Sequence, residues 1–113
     1  MYLYGYHASR AALLNPRRMI EKIFLTDQKL LERLPPLKTS KVEIIDRRRL
    51  ENMLPSGSVH QGIALKVQPL EPFDLSFLEL QEELNQRVIV LDQVNDPHNV
   101  GAVLRSAAVF GAK

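Results

Sequence analysis

Hydrophobic positions along residues 1–70 come in short blocks whose spacing alternates between a helical and an extended period. The alanines and leucines from His7 to Leu14 predict a short helix that Pro16 stops. Ile20, Ile23, Phe24 and Leu25, within Met19–Leu25, predict a strand flanked by charge. Asp27 is placed to cap a helix through Leu30, Leu31 and Leu34, which Pro35-Pro36 ends. Val42, Ile44 and Ile45 predict a second strand, and Arg47-Arg48-Arg49 opens a helix leading into Leu50, Met53 and Leu54. After the loop Pro55-Ser56-Gly57-Ser58, Gly62 to Val67 predicts a third strand with Ile63, Leu65 and Val67 on one face. Tyr2, Tyr4 and Tyr6 alternate ahead of all this, either packing an edge strand or offering a face on which bases stack. Helices alternating with strands predict a small layered α/β domain.

Gln68-Pro69-Leu70-Glu71-Pro72 breaks the pattern. The expected organisation is a domain over 1–68, a linker with a connector helix over 69–86, and a second module over 87–113. The connector helix is expected from Ser76 to Asn85, with Phe77, Leu80 and Leu84 at helical spacing. Beyond it, Val88-Ile89-Val90-Leu91 is continuously apolar, which predicts a strand buried on both faces, as inside a parallel sheet. Asp96-Pro97 then predicts a helix start that runs to Phe110, with Gly111 as its C′ residue. A strand and its crossover helix open a parallel α/β domain without completing it, so the chain is expected to stop inside that domain.

Charge divides the chain more sharply than the net value of +2 suggests. Residues 1–70 carry 12 Lys and Arg against 6 Asp and Glu, whereas residues 71–113 carry 3 against 7. A basic first part suits a polyanion, because phosphates need cations gathered on one body. Arg17, Arg18, Lys22, Arg47, Arg48 and Arg49 are the candidate RNA-binding residues; their bland alternative is a solvated surface. The chain has no cysteine, which excludes disulfides, thiolate zinc sites and cysteine nucleophiles. His7, His60 and His98 are far apart, without partners at metal-ligand spacing, so no metal is expected. Ser58 and His60 lack an acidic third partner, and Glu82-Glu83 read as surface charge. The start lacks the basic lead and apolar block of a signal peptide, and no apolar run approaches membrane-spanning length. A cytoplasmic location is expected.

The stretch with the most chemistry is Asp96 to Ala107. Gly101 inside a helix costs about 1 kcal/mol against alanine, which a close approach would offset. Arg105 lies four residues on, on the same helical face, beside the space that Gly101 leaves. Ligands of parallel α/β sheets bind where strand gives way to helix, and Asn99 sits in that first turn. A solvent-facing arginine beside a packing glycine is the competing reading of the same spacing.

Asn99-x-Gly101-x-x-x-Arg105, preceded by Asp96-Pro97-His98 and an apolar strand, resembles the first motif of the SpoU (TrmH) family, the 2′-O-ribose RNA methyltransferases of the SPOUT class. Tyr4-Gly5-Tyr6-His7-Ala8 and Val59-His60-Gln61-Gly62-Ile63-Ala64 resemble segments of the same family's N-terminal substrate-binding domain. The resemblance implies an L30e-like RNA-binding domain, then the first strand and helix of a trefoil-knot SPOUT domain. It implies Arg105 and Asn99 as catalytic residues, S-adenosylmethionine as methyl donor, and a guanosine ribose in ribosomal RNA as substrate in preference to transfer RNA. The family's further motifs, which bind S-adenosylmethionine and form its homodimer interface, have no match here. The chain alone is accordingly expected to bind RNA and to be inactive in methyl transfer. Because arginine is effectively never deprotonated, Arg105 suits bidentate phosphate anchoring better than base catalysis. The alternative is a noncatalytic L30e-like RNA-binding module. A third reading has the apolar residues Val100, Val103, Leu104, Ala107, Val109 and Phe110 make the last helix a docking element.

Overall fold

The computed structural model describes residues 1–37, 41–77 and 85–112, and two compact units divide the chain at Pro72/Phe73. The first holds β1 (Tyr2–Tyr4), α1 (Tyr6–Leu14), β2 (Ile20–Leu25), a 3-10 helix (Gln28–Arg33), β3 (Val42–Ile44), α2 (Arg47–Met53) and β4 (Ile63–Val67). The second holds a 3-10 turn (Leu75–Phe77) and α3 (Pro97–Val109).

The four strands form one sheet in the order β1-β4-β2-β3. β4 runs antiparallel to both neighbours, while β2 and β3 are parallel. Being central, β4 buries both its faces. Ile63, Leu65 and Val67 pack with Ile23, Leu25, Ala12 and Leu13 on the α1 side. Ala64 joins Phe24, Ile45, Leu50 and Leu54 on the α2 side. The alternation expected for Ile63, Leu65 and Val67 is therefore present, and the residue between the first two is buried as well. Only Lys66 of this strand reaches solvent.

The fold is a small mixed α/β layer structure, with helix on both sheet faces. Asp27 does cap the helix after β2, accepting from the Lys29 N–H at 2.9 Å, but the helix is 3-10. Leu34 precedes Pro35, which disfavours the α conformation there, and it is extended at φ −90°, ψ 150°. Asp46 caps α2 by accepting from the Arg49 N–H at 2.8 Å. The tyrosine alternation breaks at Gly5: Tyr2 and Tyr4 share one sheet face, but Tyr6 starts α1 and packs on the other.

In the second unit the predicted strand at Val88–Leu91 is absent, and residues 88–91 have no regular structure. A strand exists through its ladder, and no described segment pairs with these residues; Val90 is 82% exposed. The expected connector helix falls largely on residues 78–84, outside the described residues, as do Leu80, Glu82, Glu83 and Leu84. α3 forms as its end signals dictate. Asp96 accepts from the His98 N–H at 2.8 Å, and Pro97 takes the first helical position. Gly111 adopts φ +63°, so Ala112 N–H reaches the Ala107 carbonyl and Gly111 N–H the Ala108 carbonyl. Arg87 donates to the Phe110 carbonyl at 3.0 Å. No helix among the described residues is long and apolar enough to cross a membrane.

Candidate nucleic-acid interface

The segments around Gly5 and His60 meet at one end of the sheet. Gly5, at φ +85°, leaves α1 without a side-chain cap, and Gln61 supplies one: its Oε1 accepts from the Tyr6 N–H at 2.8 Å. Gly5 N–H donates to the Ile63 carbonyl at 3.1 Å. His60 is buried, with Nδ1 accepting from the Gly62 N–H at 3.0 Å and Nε2 standing 3.7 Å from Glu51. A nitrogen that accepts carries no proton, so the Nε2–H tautomer follows. Gly62 has φ +79°, and a Cβ there would lie 2.5 Å from Thr26 Oγ1. This end of the fold is a backbone lock, and a cavity of about 470 Å³ lies over it between Thr26, Arg47 and Gln61.

The six candidate cations of the first unit fall into three settings. Arg17 and Arg18 turn inward along the chain, donating to the Glu71 carbonyl at 3.2 Å and the Gln68 carbonyl at 3.0 Å. They hold the segment that leaves β4. Lys22 and Arg49 share Glu43, the arginine at 2.7 Å, and Arg47 pairs with Glu51 one helical turn on at 2.9 Å. The Lys22 hydrogen bond, with Arg49 adding to it, holds the Glu43 carboxyl below the usual carboxylate range. Arg47 does the same to Glu51, chiefly through its hydrogen bond. Arg48 is exposed and makes no hydrogen bond or ion pair among the described residues. Among the described residues the triple-arginine run is thus two paired groups around an unpaired one.

Two cations that the sequence did not single out complete a different surface. Lys22, Lys41 and Lys66 line one groove of about 610 Å³, with Met19, Ile20, Glu21 and Gln68. Lys66 contacts Glu21 at 3.4 Å. In the sequence these lysines are 19 and 25 positions apart, and only the pairing of β2, β3 and β4 gathers them. The available signal was Lys66 as the single charged position in the strand Ile63–Val67.

On α3, Gly101 and Arg105 stand one turn apart as their spacing requires. A Cβ on Gly101 would lie 3.3 Å from Arg105 Nη1, so the guanidinium folds over the glycine. Asn99 and Arg105 are both exposed, and six residues of helix put them on different faces. No residue of α3 is buried. Among the described residues no group of three His, Asp or Glu side chains could hold a metal ion.

The class these features define is broad: a small mixed α/β domain with a lysine-lined groove, joined to a second unit whose helix carries an arginine over a glycine. Comparison with known proteins narrows the class. Residues 2–73 match the family described as RNA 2′-O ribose methyltransferase substrate binding. The chain belongs to the SpoU family of RNA 2′-O-ribose methyltransferases through that part. It is 40% identical, over 96% of its length and 47% of the relative's, to the 23S rRNA (guanosine-2′-O-)-methyltransferase RlmB of Haemophilus ducreyi. The Escherichia coli protein of the same name is 34% identical over 96% of this chain and 48% of its own. The mitochondrial rRNA methyltransferase 1 of Saccharomyces cerevisiae is 31% identical over 97% of this chain and 34% of its own. The chain spans about half the length of the bacterial relatives it matches.

Proposed function

We propose that this chain is the RNA-recognition part of a methyltransferase acting on a guanosine 2′-hydroxyl of large-subunit ribosomal RNA. The observation that carries the reading is the extent of the likeness. Relatives named as such enzymes align over 96% of the chain, which requires the alignment to reach well into the second unit as well as the substrate-binding part. A noncatalytic RNA-binding module, the competing reading, has no need of the Asn99–Arg105 stretch. Within this reading the domain over 1–68 is L30e-like, 69–86 is a linker, and 87–113 opens a SPOUT knot domain. The protein works as a homodimer in the cytoplasm, with ribosomal rather than transfer RNA as substrate.

The roles follow from side-chain chemistry. Arg105 anchors a phosphate next to the reacting ribose through its paired N–H donors, a geometry lysine cannot reproduce. Asn99, in the first turn of α3 and on a different face from Arg105, orients a neighbouring part of the same RNA. S-adenosylmethionine supplies the methyl group when bound. The described residues of the second unit do not fit that molecule, because α3 buries no side chain and encloses no nucleoside. No transfer step is therefore assigned to residues of this chain.

Transfer of labelled methyl from S-adenosylmethionine to ribosomal RNA tests the reading, comparing this chain with any longer reading frame that contains it. Activity confined to the longer protein is expected. Inactivity of both, with RNA binding intact, would favour the noncatalytic module.

A further inference from the structure

The groove lined by Lys22, Lys41 and Lys66 is distinguished from other cavities of the first unit by its charge. In the cavity over the backbone lock Arg47 is offset by Asp27, and the cavity beside α2 is lined by Glu51 and by no Lys or Arg. Next to the linker Arg17 is offset by Glu71. The lysine groove has three cations and one carboxylate, Glu21. Glu43 at its margin is shared between Lys22 and Arg49, leaving that trio positive as well.

The ladder brings these charges together at a cost. β2 and β4 pair Ile20 with Val67, and the register then slips so that Lys22, not Glu21, stands opposite Lys66. An unbroken antiparallel ladder would have put the carboxylate of Glu21 across from Lys66. The bulge puts a second ammonium in that register position, although like charges directly opposite are destabilising, while Glu21 still reaches Lys66 at 3.4 Å. On the next strand Tyr2 is the register partner of Lys66. Tyr2, Lys66 and Lys22 therefore form one row across three strands, spaced about 4.8 Å apart. Ile23 N–H donates to the Lys41 carbonyl, which extends the row towards β3. α2 covers the neighbouring row, Tyr4, Ala64 and Phe24, and Tyr2 remains 37% exposed beside it. The ring of Tyr2 leans on Phe24 at 6.3 Å, which fixes its position.

We propose that this row is the track for a single-stranded segment of RNA, with Lys22, Lys41 and Lys66 on successive phosphates and a base stacked on Tyr2. The proposal rests on the RNA reading above and specifies where that RNA lies. Ammonium groups in line with one exposed ring suit a single strand, because a duplex hides its base faces from stacking. Arg17 and Arg18 act as positioning residues, since they hold the 68–71 segment whose Gln68 forms a wall of the groove. The Arg47–Arg49 run lies outside the track.

The test is fluorescence anisotropy of the whole chain with a labelled single-stranded oligouridylate, titrated between about 50 and 200 mM salt. Lys41→Gln and Lys66→Gln should each weaken binding several-fold and flatten the plot of log affinity against log salt by about 0.7. Lys66→Arg should restore both. Tyr2→Ala should weaken binding by about 5- to 100-fold at an unchanged slope, with Tyr2→Phe close to the original chain. Arg10→Gln, at an exposed cation of α1 away from the groove, should bind as the unsubstituted chain does. Unchanged slopes in both lysine variants would overturn the track while leaving the RNA reading in place. Absence of binding by the unsubstituted chain at the lowest salt would overturn both.

Discussion

Gly62 shows how much of the first unit depends on one position without a side chain. Its φ of +79° is strained for any L residue, and the preceding Gln61 already sits at φ 53°. A methyl group would also press on Thr26 Oγ1 at 2.5 Å and Leu30 Cδ1 at 3.1 Å. Both neighbours are held, Thr26 by its N–H bond to the Gly62 carbonyl and Leu30 by packing on the α1-side core. Gly62→Ala should therefore destabilise by about 1–3 kcal/mol, read as a lower urea midpoint at unchanged slope. The same change at Gly57, whose Cβ would meet nothing within 4 Å, leaves only the backbone strain of φ +79°. A Gly62→Ala loss no larger than that of Gly57→Ala would show that contact with Thr26 and Leu30 does not matter. Gly62 was legible in the sequence only as part of a motif, since its contacts come from residues 36 and 32 positions earlier in the chain.

At the scale of elements, local signals succeeded where the partner of each residue is close in sequence. Asp46, Asp96-Pro97 and Gly111 set helix ends through bonds spanning two to five residues, so α2 and α3 were readable. The 3-10 form of Gln28–Arg33 and the missing strand at Val88–Leu91 were not, because each is decided by what lies across from the segment. The basic surface was half readable for the same reason: Arg17, Arg18 and Lys22 stand out in sequence, but their settings come from β2, β3 and the 68–71 segment. Glu43 ties three elements at once, receiving Lys22 from β2 and Arg49 from α2 while standing on β3. Its carboxyl is held below the ordinary value of 4.5, so around that pH the unfolded chain binds more protons than the folded one. Stability from this network is fully present above the unfolded value and is lost as pH falls through the lower folded value. The thermal midpoint of the chain should thus drop on acidification below about pH 4.5, and Glu43→Gln should make that drop shallower. An identical pH profile in Glu43→Gln would show that the carboxylate is not stabilising the β2-β3-α2 corner.

For the whole molecule, the proposed function divides the work between the two units. The first holds the buried core and the lysine groove, and the second presents α3 with little of its own covered. Under the proposed function, affinity for RNA belongs to the first unit and chemistry to the second, which predicts that the two can be separated by substitution. In a longer reading frame that shows methyl transfer, Arg105→Ala should lower kcat/KM by about 10²–10³-fold, the scale of losing one charge-assisted donor at a reacting group. Binding of ribosomal RNA should fall much less, by the several-fold that one phosphate contact among many contributes. Arg105→Lys should recover little of the loss, because a single ammonium cannot reproduce two parallel N–H bonds to one phosphate. Gly101→Ala provides a second reading of the same geometry. It removes a helix penalty of about 1 kcal/mol and so should raise the helical content of α3. Yet its methyl group meets Arg105 Nη1 at 3.3 Å, so the guanidinium is displaced by a few tenths of an ångström from its place over the glycine. A more stable helix with slower methyl transfer is the expected pairing. Full activity in Arg105→Ala would mean that Arg105 does not act at the reacting nucleotide.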